Sequence, residues 1–271
     1  MLIFSAIILI SATLALIYVF LVMPRVTDTA DMELQSTDYA HRGLHGKTAP
    51  ENSLTAFSLA CDNGYGIEFD VRMSSDGEIF VFHDENLRRV CGINKPFSSL
   101  SRSQLSALRI YGGGERIPRL SEVLELIEGR VPILIEVKSA DNARSLCKAL
   151  CEMLDGYEGA FAIQSFDPRI LAYFKKYRPR FARGQLVTKI AKTDGAVKNP
   201  FIRFALNQML TNVISRPDFI SIDGKMINNP AFLLATFVFR NKGFVWTVHS
   251  QEQYTLCQKR GLYAIFEKFN P

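Results

Sequence analysis

The sequence of 271 residues is poor in several residue types that would point to particular classes of protein. Its five cysteines are odd in number and form no Cys-x-x-Cys pair, which argues against a disulfide scaffold and favours a reducing compartment. The net charge of +5 is mild, and no run of Lys and Arg alternates with aromatic residues, so the composition argues against nucleic acid as a partner. The four histidines and the single tryptophan are few enough for each position to be weighed separately.

Charge is missing altogether from the first 23 residues, which are almost continuously apolar. As a helix rising about 1.5 Å per residue, this run would cross a bilayer core of about 30 Å. A cleaved signal peptide would have a basic start, a shorter apolar core and a small-residue cleavage site, and residues 1–25 show none of these. We therefore expect residues 1–23 to be an uncleaved single-pass membrane anchor. Arg25 is the only flanking basic residue, and the positive-inside bias therefore predicts that the domain after the anchor lies in the cytosol.

Residues 24–37 are polar and predict a short tether between the anchor and the domain. From residue 38 to 271, apolar strands of five to seven residues alternate with helical patterns, which is typical of a TIM (β/α)8 barrel. The alternation pauses after the third predicted strand, Ile79 to His83, so we interpret about 85–118 as a small insertion. Ser53 or Asn52 should cap the first barrel helix, and Ser121 should cap the helix after the insertion.

Chemistry-bearing side chains recur where the predicted strands end. Active sites of such barrels lie at the carboxyl ends of the strands, so we expect these side chains to share one site. The residues in question are His41, Glu68, Asp70, His83, Glu136, Lys138, Ser165 and Trp246.

The carboxylates in this set predict a metal site. Strict alternation in residues 66–73 puts Glu68 and Asp70 on one face of their strand, roughly 6.6–7 Å apart. Two such carboxylates repel each other unless a cation or a proton lies between them, and Glu136 could be a third ligand. Oxygen ligands without cysteine favour Mg²⁺ or Ca²⁺ over Zn²⁺. The alternative is an ordinary ion pair of Glu68 with Arg72 or with a lysine.

The remaining candidates predict acid–base chemistry on an anionic substrate. His41 and His83 can exchange protons near neutral pH, whereas the alternative for each is a structural role. Arg42 and Lys138 could bind a phosphate, unless they are plain surface charges. Trp246 could form a wall for the apolar part of the substrate, or simply pack in the core.

In this order, the motifs resemble the glycerophosphodiester phosphodiesterase family. The resemblance covers residues 38–271 and rests on AHRG (40–43), PENS (50–53), Glu68-x-Asp70, Ser75-Asp76-Gly77, His83-Asp84, IPRLSEVL (117–124), Glu136-x-Lys138 and Trp246-Thr247. It implies a TIM barrel with an insertion after the third strand and a divalent metal on Glu68, Asp70 and Glu136. It also implies an acid/base pair, His41 and His83, and phosphate binding by Arg42 and Lys138. Two departures lie near the C-terminus, at His249 and in the ending AIFEKFNP.

The resulting prediction is a membrane-anchored, metal-dependent hydrolase that releases an alcohol and glycerol 3-phosphate from glycerophosphodiesters. The first alternative is a lysophospholipase D that acts on lysophospholipids at the membrane. The second is an inactive, membrane-tethered lipid-binding barrel, although no metal carboxylate or acid/base histidine of the motif is missing. The stretch Phe201 to Arg216 is apolar with basic ends and could bind anionic lipid, but an outer barrel helix explains it more simply.

Overall fold

A closed barrel of eight parallel strands forms the body of the protein, as the sequence predicts. The computed structural model describes residues 1–25, 34, 37–194 and 197–271. Within these ranges nine strands follow the order β1-β9-β8-β7-β6-β5-β4-β2-β3, and β1 also pairs with β2, which closes the barrel. The strands are β1 (Tyr39–His41), β2 (Gly66–Met73), β3 (Ile79–Val81), β4 (Ile133–Val137), β5 (Phe161–Ser165), β6 (Ala182–Val187), β7 (Phe219–Asp223), β8 (Lys242–Val248) and β9 (Tyr263–Phe266).

Helices lie between the barrel strands and cover the outside of the sheet. Their apolar faces and those of the strands form one continuous buried cluster, in which Phe57 of the first barrel helix meets Phe69 of β2. The described helices are α1 (Leu2–Val22), α2 (Leu54–Asp62), α3 (Arg88–Cys91), α4 (Arg102–Ser106), α5 (Leu120–Ile127), α6 (Ala143–Leu154), α7 (Pro168–Tyr177), α8 (Pro200–Asn207), α9 (Asn212–Ser215), α10 (Pro230–Leu233) and α11 (Gln251–Lys259).

The third strand in the chain is not part of the barrel. It turns back at Gly77 and pairs with β2 antiparallel, with Val71 opposite Val81 and Met73 opposite Ile79. The insertion therefore follows β3 in the chain, as expected, but it follows only the second strand of the barrel. A separate buried cluster, which includes Phe82 stacked on Phe97 at 5.0 Å, holds this insertion together.

Two local predictions about helices differ from the structure. Ser53 does cap α2, since its hydroxyl accepts a hydrogen bond from the Ala56 amide. Helix α5, however, starts one residue before Ser121, and its N-cap is Arg119, whose amide is bound by Glu122 at 2.8 Å. The outer barrel helix expected in the stretch Phe201 to Arg216 is broken into α8 and α9. Met209 lies between them with φ +53°, a conformation that a continuous right-handed helix excludes.

Helix α1 projects from the barrel and docks only by its last turn. Among the described residues, one helical stretch, Ile3–Val22, is long and apolar enough to cross a membrane, and it is almost entirely exposed. Arg216 donates hydrogen bonds to the carbonyls of Phe20 (2.9 Å) and Met23 (2.7 Å), and Asn212 donates to Val22 (2.8 Å). These bonds satisfy carbonyl groups that every helix leaves unpaired at its C-terminus.

Arg25 and Leu34, which lie within or next to the expected tether, both contact the amino-terminal end of the barrel. Arg25 pairs with Asp218, just before β7, at 3.2 Å. Most of the expected tether, residues 26–33 and 35–36, lies outside the described residues. Leu34 is buried in the cluster that closes this end of the barrel, and its carbonyl accepts a hydrogen bond from the Tyr39 hydroxyl at 2.8 Å.

Candidate active site

Three carboxylates meet inside the carboxyl end of the barrel. Glu68 and Asp70 alternate on β2, and parallel pairing sets Asp70 opposite Glu136 of β4. Because residues two apart on a strand point to the same side, all three side chains face the barrel interior. They are 2%, 1% and 6% exposed, and one oxygen from each lies within 4.8 Å of the others. The structure thus brings together the three residues predicted to bind metal.

The charge balance of this group calls for a cation. Burial, reinforced by Asp70 and Glu136, raises the pKa of Glu68 well above its usual value. Burial also raises the pKa of Glu136 to about 7, although Lys138 opposes the shift. Burial would raise the pKa of Asp70 too, but Lys138, His83 and Arg42 outweigh it and lower that pKa. The pKa values of Glu68 and Glu136 are therefore shifted towards the protonated form, and a bound cation would oppose this shift.

The donor set fits a hard divalent ion. Glu68 Oε2 is buried and accepts no hydrogen bond among the described residues, while Glu68 Oε1 accepts one from Gln164 at 3.0 Å. An orphaned buried carboxylate oxygen costs free energy unless a ligand satisfies it. Carboxylate oxygens are the ligands that Mg²⁺ and Ca²⁺ prefer.

His41 stands at the end of β1 between two carboxylates. Its Nδ1 lies 2.8 Å from Glu267 Oε2, and its Nε2 lies 4.0 Å from Glu68 Oε2. His45 Nε2 lies 3.9 Å from the same Glu267 carboxylate. His41, His45 and Glu267 therefore form a second cluster of potential ligands next to the three carboxylates. The bond at Nδ1 orients the imidazole and leaves Nε2 towards the site.

His83 is also oriented by a carboxylate, and its charge acts on Asp70 of the cluster. Its Nδ1 lies 2.7 Å from Asp84 Oδ1, and Arg89 binds Asp84 through contacts of 2.7 and 2.9 Å. Burial lowers the pKa of His83, against the raising effects of Asp70 and Asp84. Both predicted acid/base histidines therefore bind a carboxylate through Nδ1 and leave Nε2 available.

The two predicted phosphate-binding cations are buried in ion pairs. Lys138 Nζ donates to Asp70 Oδ1 at 2.7 Å and to Glu136 Oε1 at 2.6 Å. Arg42 binds Glu51 at 3.0 Å and lies 3.6 Å from Asp70. Neither is a plain surface charge. The ion pair between Glu68 and Arg72, which was the alternative to a metal site, does not form, because Arg72 donates to the His83 carbonyl at 2.9 Å.

Trp246 lies at the same end of the barrel but apart from the ion-pair network. Its indole N–H donates to the Ser221 carbonyl at 3.1 Å, and its ring meets Phe166 edge-on at 5.5 Å. Both rings are partly exposed at strand ends. Ser165, also at a strand end, is buried and donates to the Val137 carbonyl at 2.8 Å.

Sequence reasoning missed three residues that the geometry ties to the site. Asn52 has φ +54° and donates to Asp70 Oδ2 at 3.1 Å, so the PENS motif orients one of the three clustered carboxylates as well as starting α2. Gln164 immediately precedes Ser165 on β5, and its side chain points into the barrel. The two-residue period of a strand would have been enough to predict this direction. Glu267 falls in the unusual ending AIFEKFNP and has no local signal.

Comparison with known proteins agrees with the family resemblance of the sequence motifs. The model of the glycerophosphoryl diester phosphodiesterase family matches residues 41–269. The glycerophosphodiester phosphodiesterase of Caldanaerobacter subterraneus subsp. tengcongensis is 37% identical over 160 residues, 54% of this chain and 65% of that protein. Human lysophospholipase D GDPD1 is 33% identical over 135 residues, 45% of this chain and 42% of that protein. The chain thus aligns with less than two thirds of either relative.

A solved structure supports the fold over a larger part of the chain. A phosphodiesterase of Oleispira antarctica, in complex with the product sn-glycerol-3-phosphate, superposes with a TM-score of 0.70 at 23% identity. The match covers 85% of this chain and 92% of that one. Since the family model spans nearly the whole barrel, the chain belongs to the glycerophosphoryl diester phosphodiesterase family, whose activity is the hydrolysis of glycerophosphodiesters.

Proposed function

We propose that this protein hydrolyses glycerophosphodiesters with a divalent ion held by Glu68, Asp70 and Glu136, and with His41 and His83 as the proton-transfer pair. One observation carries the proposal. Three buried carboxylates lie with one oxygen each within 4.8 Å of the others, and two imidazoles, each bound to a carboxylate through Nδ1, lie near this cluster.

The carboxylates are the ion-binding part of the site. When bound, Mg²⁺ or Ca²⁺ would polarise the phosphodiester and lower the pKa of a glycerol hydroxyl. Asn52 and Gln164 keep Asp70 and Glu68 oriented through bonds of 3.1 and 3.0 Å, so the carboxylates need little rearrangement to bind it.

The histidines supply and remove the protons. With Nδ1 bound to a carboxylate, each imidazole keeps its proton there when neutral and can accept one at Nε2. One histidine takes the proton from the attacking oxygen as the new P–O bond forms. The other donates a proton to the alcohol oxygen as the old P–O bond breaks. When the attacking oxygen is a glycerol hydroxyl, this step leaves a cyclic phosphodiester, which water then opens to glycerol 3-phosphate with the two histidines in reversed roles.

Arg42 and Lys138 compensate the charge of the phosphodiester. Both lie against Asp70, and carboxylate neighbours raise the pKa of each despite the opposing effect of burial, so both remain cationic. When a phosphodiester binds beside these two cations, its phosphate takes the place of a carboxylate as their anionic partner. We assign Trp246 to the side of the pocket that receives the apolar part of the substrate.

Helix α1 supports a membrane location for this activity. Its 21 residues carry no charge, its surface is exposed, and its last turn is fixed to the barrel. We assign it as a single-pass anchor with the barrel on the cytosolic side; a signal sequence is the alternative for the same segment. The anchor also favours lysophospholipids as a second substrate class, the class named for the human relative.

The test is a substrate panel assayed with the full chain in detergent or nanodiscs. Glycerophosphocholine, glycerophosphoethanolamine, glycerophosphoglycerol and lysophospholipids are each supplied with Mg²⁺ or Ca²⁺, and the released alcohol is measured. EDTA should abolish turnover, and His41→Ala should lower it by about 10²- to 10⁴-fold. His249→Ala is the matched control, since His249 is exposed and lies outside this network. Turnover that survives EDTA or His41→Ala contradicts the mechanism, whereas ion binding without turnover of any substrate indicates an inactive barrel.

A further inference from the structure

Helix α8 is unusual among the helices of the barrel because none of its eight residues is buried. Phe201, Ile202 and Phe204 are 82%, 52% and 59% exposed. The neighbouring helix α7, by contrast, buries four of its ten residues. Packing as an outer barrel helix, which the sequence favours for residues 201–216, therefore does not account for α8. Clustered apolar side chains of this size in water mark an interaction surface.

Basic residues flank these apolar side chains in the sequence. Residues 188–216, the connection between β6 and β7, contain five Lys or Arg and a single acidic residue. Lys189, Lys192 and Lys198 are exposed and come just before α8. Lysines beside exposed aromatic and aliphatic side chains are typical of helices that lie in the surface of anionic membranes.

The position of α8 relates this surface to both the site and the anchor. The side-chain amide of Asn207 exchanges hydrogen bonds of 2.9 and 3.1 Å with the backbone of Ile190, three residues after β6 ends. The end of α8 is therefore held at the carboxyl end of the barrel, where the site lies. The same connection continues into α9 and Arg216, which bind the end of α1.

Apolar surface is concentrated on this side of the barrel. After residue 25, ten large hydrophobic residues are exposed within the described part of the chain, and six of them lie between β6 and β8. Besides the three on α8, they are Ile214, Phe237 and Val238. A surface that continues from the attachment of a candidate membrane span fits a bilayer better than a separate protein partner.

We infer that α8 and the lysines before it form a second membrane contact, which lies in the headgroup region of an anionic bilayer. The barrel then rests on its β6–β7 side, with α1 in the membrane and the rim of the active site at the lipid surface. This inference rests on α1 being membrane-inserted, but it does not depend on the hydrolytic mechanism.

Bromine quenching of an introduced tryptophan tests the contact. Phe204→Trp is placed in the full chain and reconstituted in nanodiscs of phosphatidylcholine with about one third phosphatidylglycerol. Leu256→Trp is the matched control, because Leu256 is 41% exposed on α11, outside the β6–β8 connections. The wild type gives the background of Trp246. With lipids brominated in the acyl chains, we expect the added emission of Phe204→Trp to fall at least twofold and that of Leu256→Trp to change little.

Two further comparisons separate the possible outcomes. Lys192→Glu with Lys198→Glu should reduce the quenching, and discs of phosphatidylcholine alone should do the same. Equal quenching of the two tryptophan variants overturns the inference, as does a blue shift of Phe204→Trp without quenching, which would indicate a second copy or another protein. Recovery of the chain with the discs reports the insertion of α1 separately, and the substrate panel reports hydrolysis separately.

Discussion

Glu267 and His41 face each other where the barrel closes, with 2.8 Å between Oε2 of the carboxylate and Nδ1 of the imidazole. His41 ends β1, and Glu267 directly follows β9, the strand that pairs with β1. The hydrogen bond from His41 lowers the pKa of Glu267, against the effect of burial, so the carboxylate stays charged. His41, which we propose as a proton-transfer group at the start of the domain, is thus oriented by a residue near the end of the domain.

Replacing Glu267 by Gln should therefore slow catalysis without weakening substrate binding. The amide cannot stabilise a protonated His41 as a carboxylate does, so we expect kcat to fall by about 10- to 100-fold with KM nearly unchanged. Lys268→Ala is the control, because Lys268 binds the same carboxylate at 2.9 Å but is 71% exposed. A Glu267→Gln enzyme with wild-type kcat would show that His41 needs no such partner.

Ion binding should depend on pH through Glu136. Because its pKa is raised to about 7, Glu136 takes up a proton as the pH falls through that value, and an ion must displace it. The affinity for Ca²⁺ should then fall by up to about tenfold per pH unit below 7 for each proton displaced. Isothermal titration calorimetry at pH 6, 7 and 8 measures this dependence.

The variant Glu136→Gln distinguishes the protonation of Glu136 from that of Glu68. The variant cannot titrate at position 136, so its affinity should be weaker at pH 8 but change less between pH 8 and pH 6. Glu125→Gln, an exposed carboxylate on α5, should behave as the wild type does. Parallel pH dependence in Glu136→Gln and the wild type would assign the proton elsewhere.

Asp84→Asn should move the pH profile as well as lower the rate. The Asp84 hydrogen bond raises the pKa of His83, so its loss lowers that pKa further. The limb of the pH–rate profile that His83 controls should shift to lower pH, and kcat should fall by roughly tenfold or more. Arg88→Ala, a neighbouring exposed cation, is the control for local charge. An unchanged profile in Asp84→Asn would remove Asp84 from the mechanism.

Gly184→Ala should lower the stability of the protein at the amino-terminal end of the barrel. A methyl group on Gly184 of β6 would come within 2.1–2.6 Å of the Phe219 ring, which is buried on β7. Overpacking of this kind costs about 1–3 kcal/mol in the free energy of unfolding. Gly156→Ala, where the methyl group would meet nothing within 4 Å, should change stability by less than about 0.5 kcal/mol. Thermal unfolding of both variants makes the comparison, and equal midpoints would contradict it.

Much of the site could be predicted because strand periodicity carries over directly into geometry. The two-residue period of β2 alone puts Glu68 and Asp70 on one face, and parallel pairing then brings Glu136 alongside. The barrel followed from repeated strand–helix patterns. The sequence could therefore identify candidate site residues that lie at the ends of strands.

Other features depend on contacts that leave no local signal. The apolar run of β3 is compatible with either strand direction, and its pairing with β2 decides that it is antiparallel. Met209 adopts its positive φ without a Gly or Pro to mark the break between α8 and α9. Glu267 reaches His41 across 226 residues of sequence, which only closure of the barrel makes possible.

Leu34 has a practical consequence for anyone who wants a water-soluble form of the enzyme. Its side chain is 5% exposed among Tyr39, Phe219 and Phe244, and its carbonyl accepts the Tyr39 hydroxyl. A truncated chain that starts at residue 38, the first residue of the expected barrel, would lack this buried side chain and admit water to the amino-terminal end of the barrel. A deletion that removes α1 but begins before Leu34 keeps it, and we expect that chain to give the more stable soluble protein.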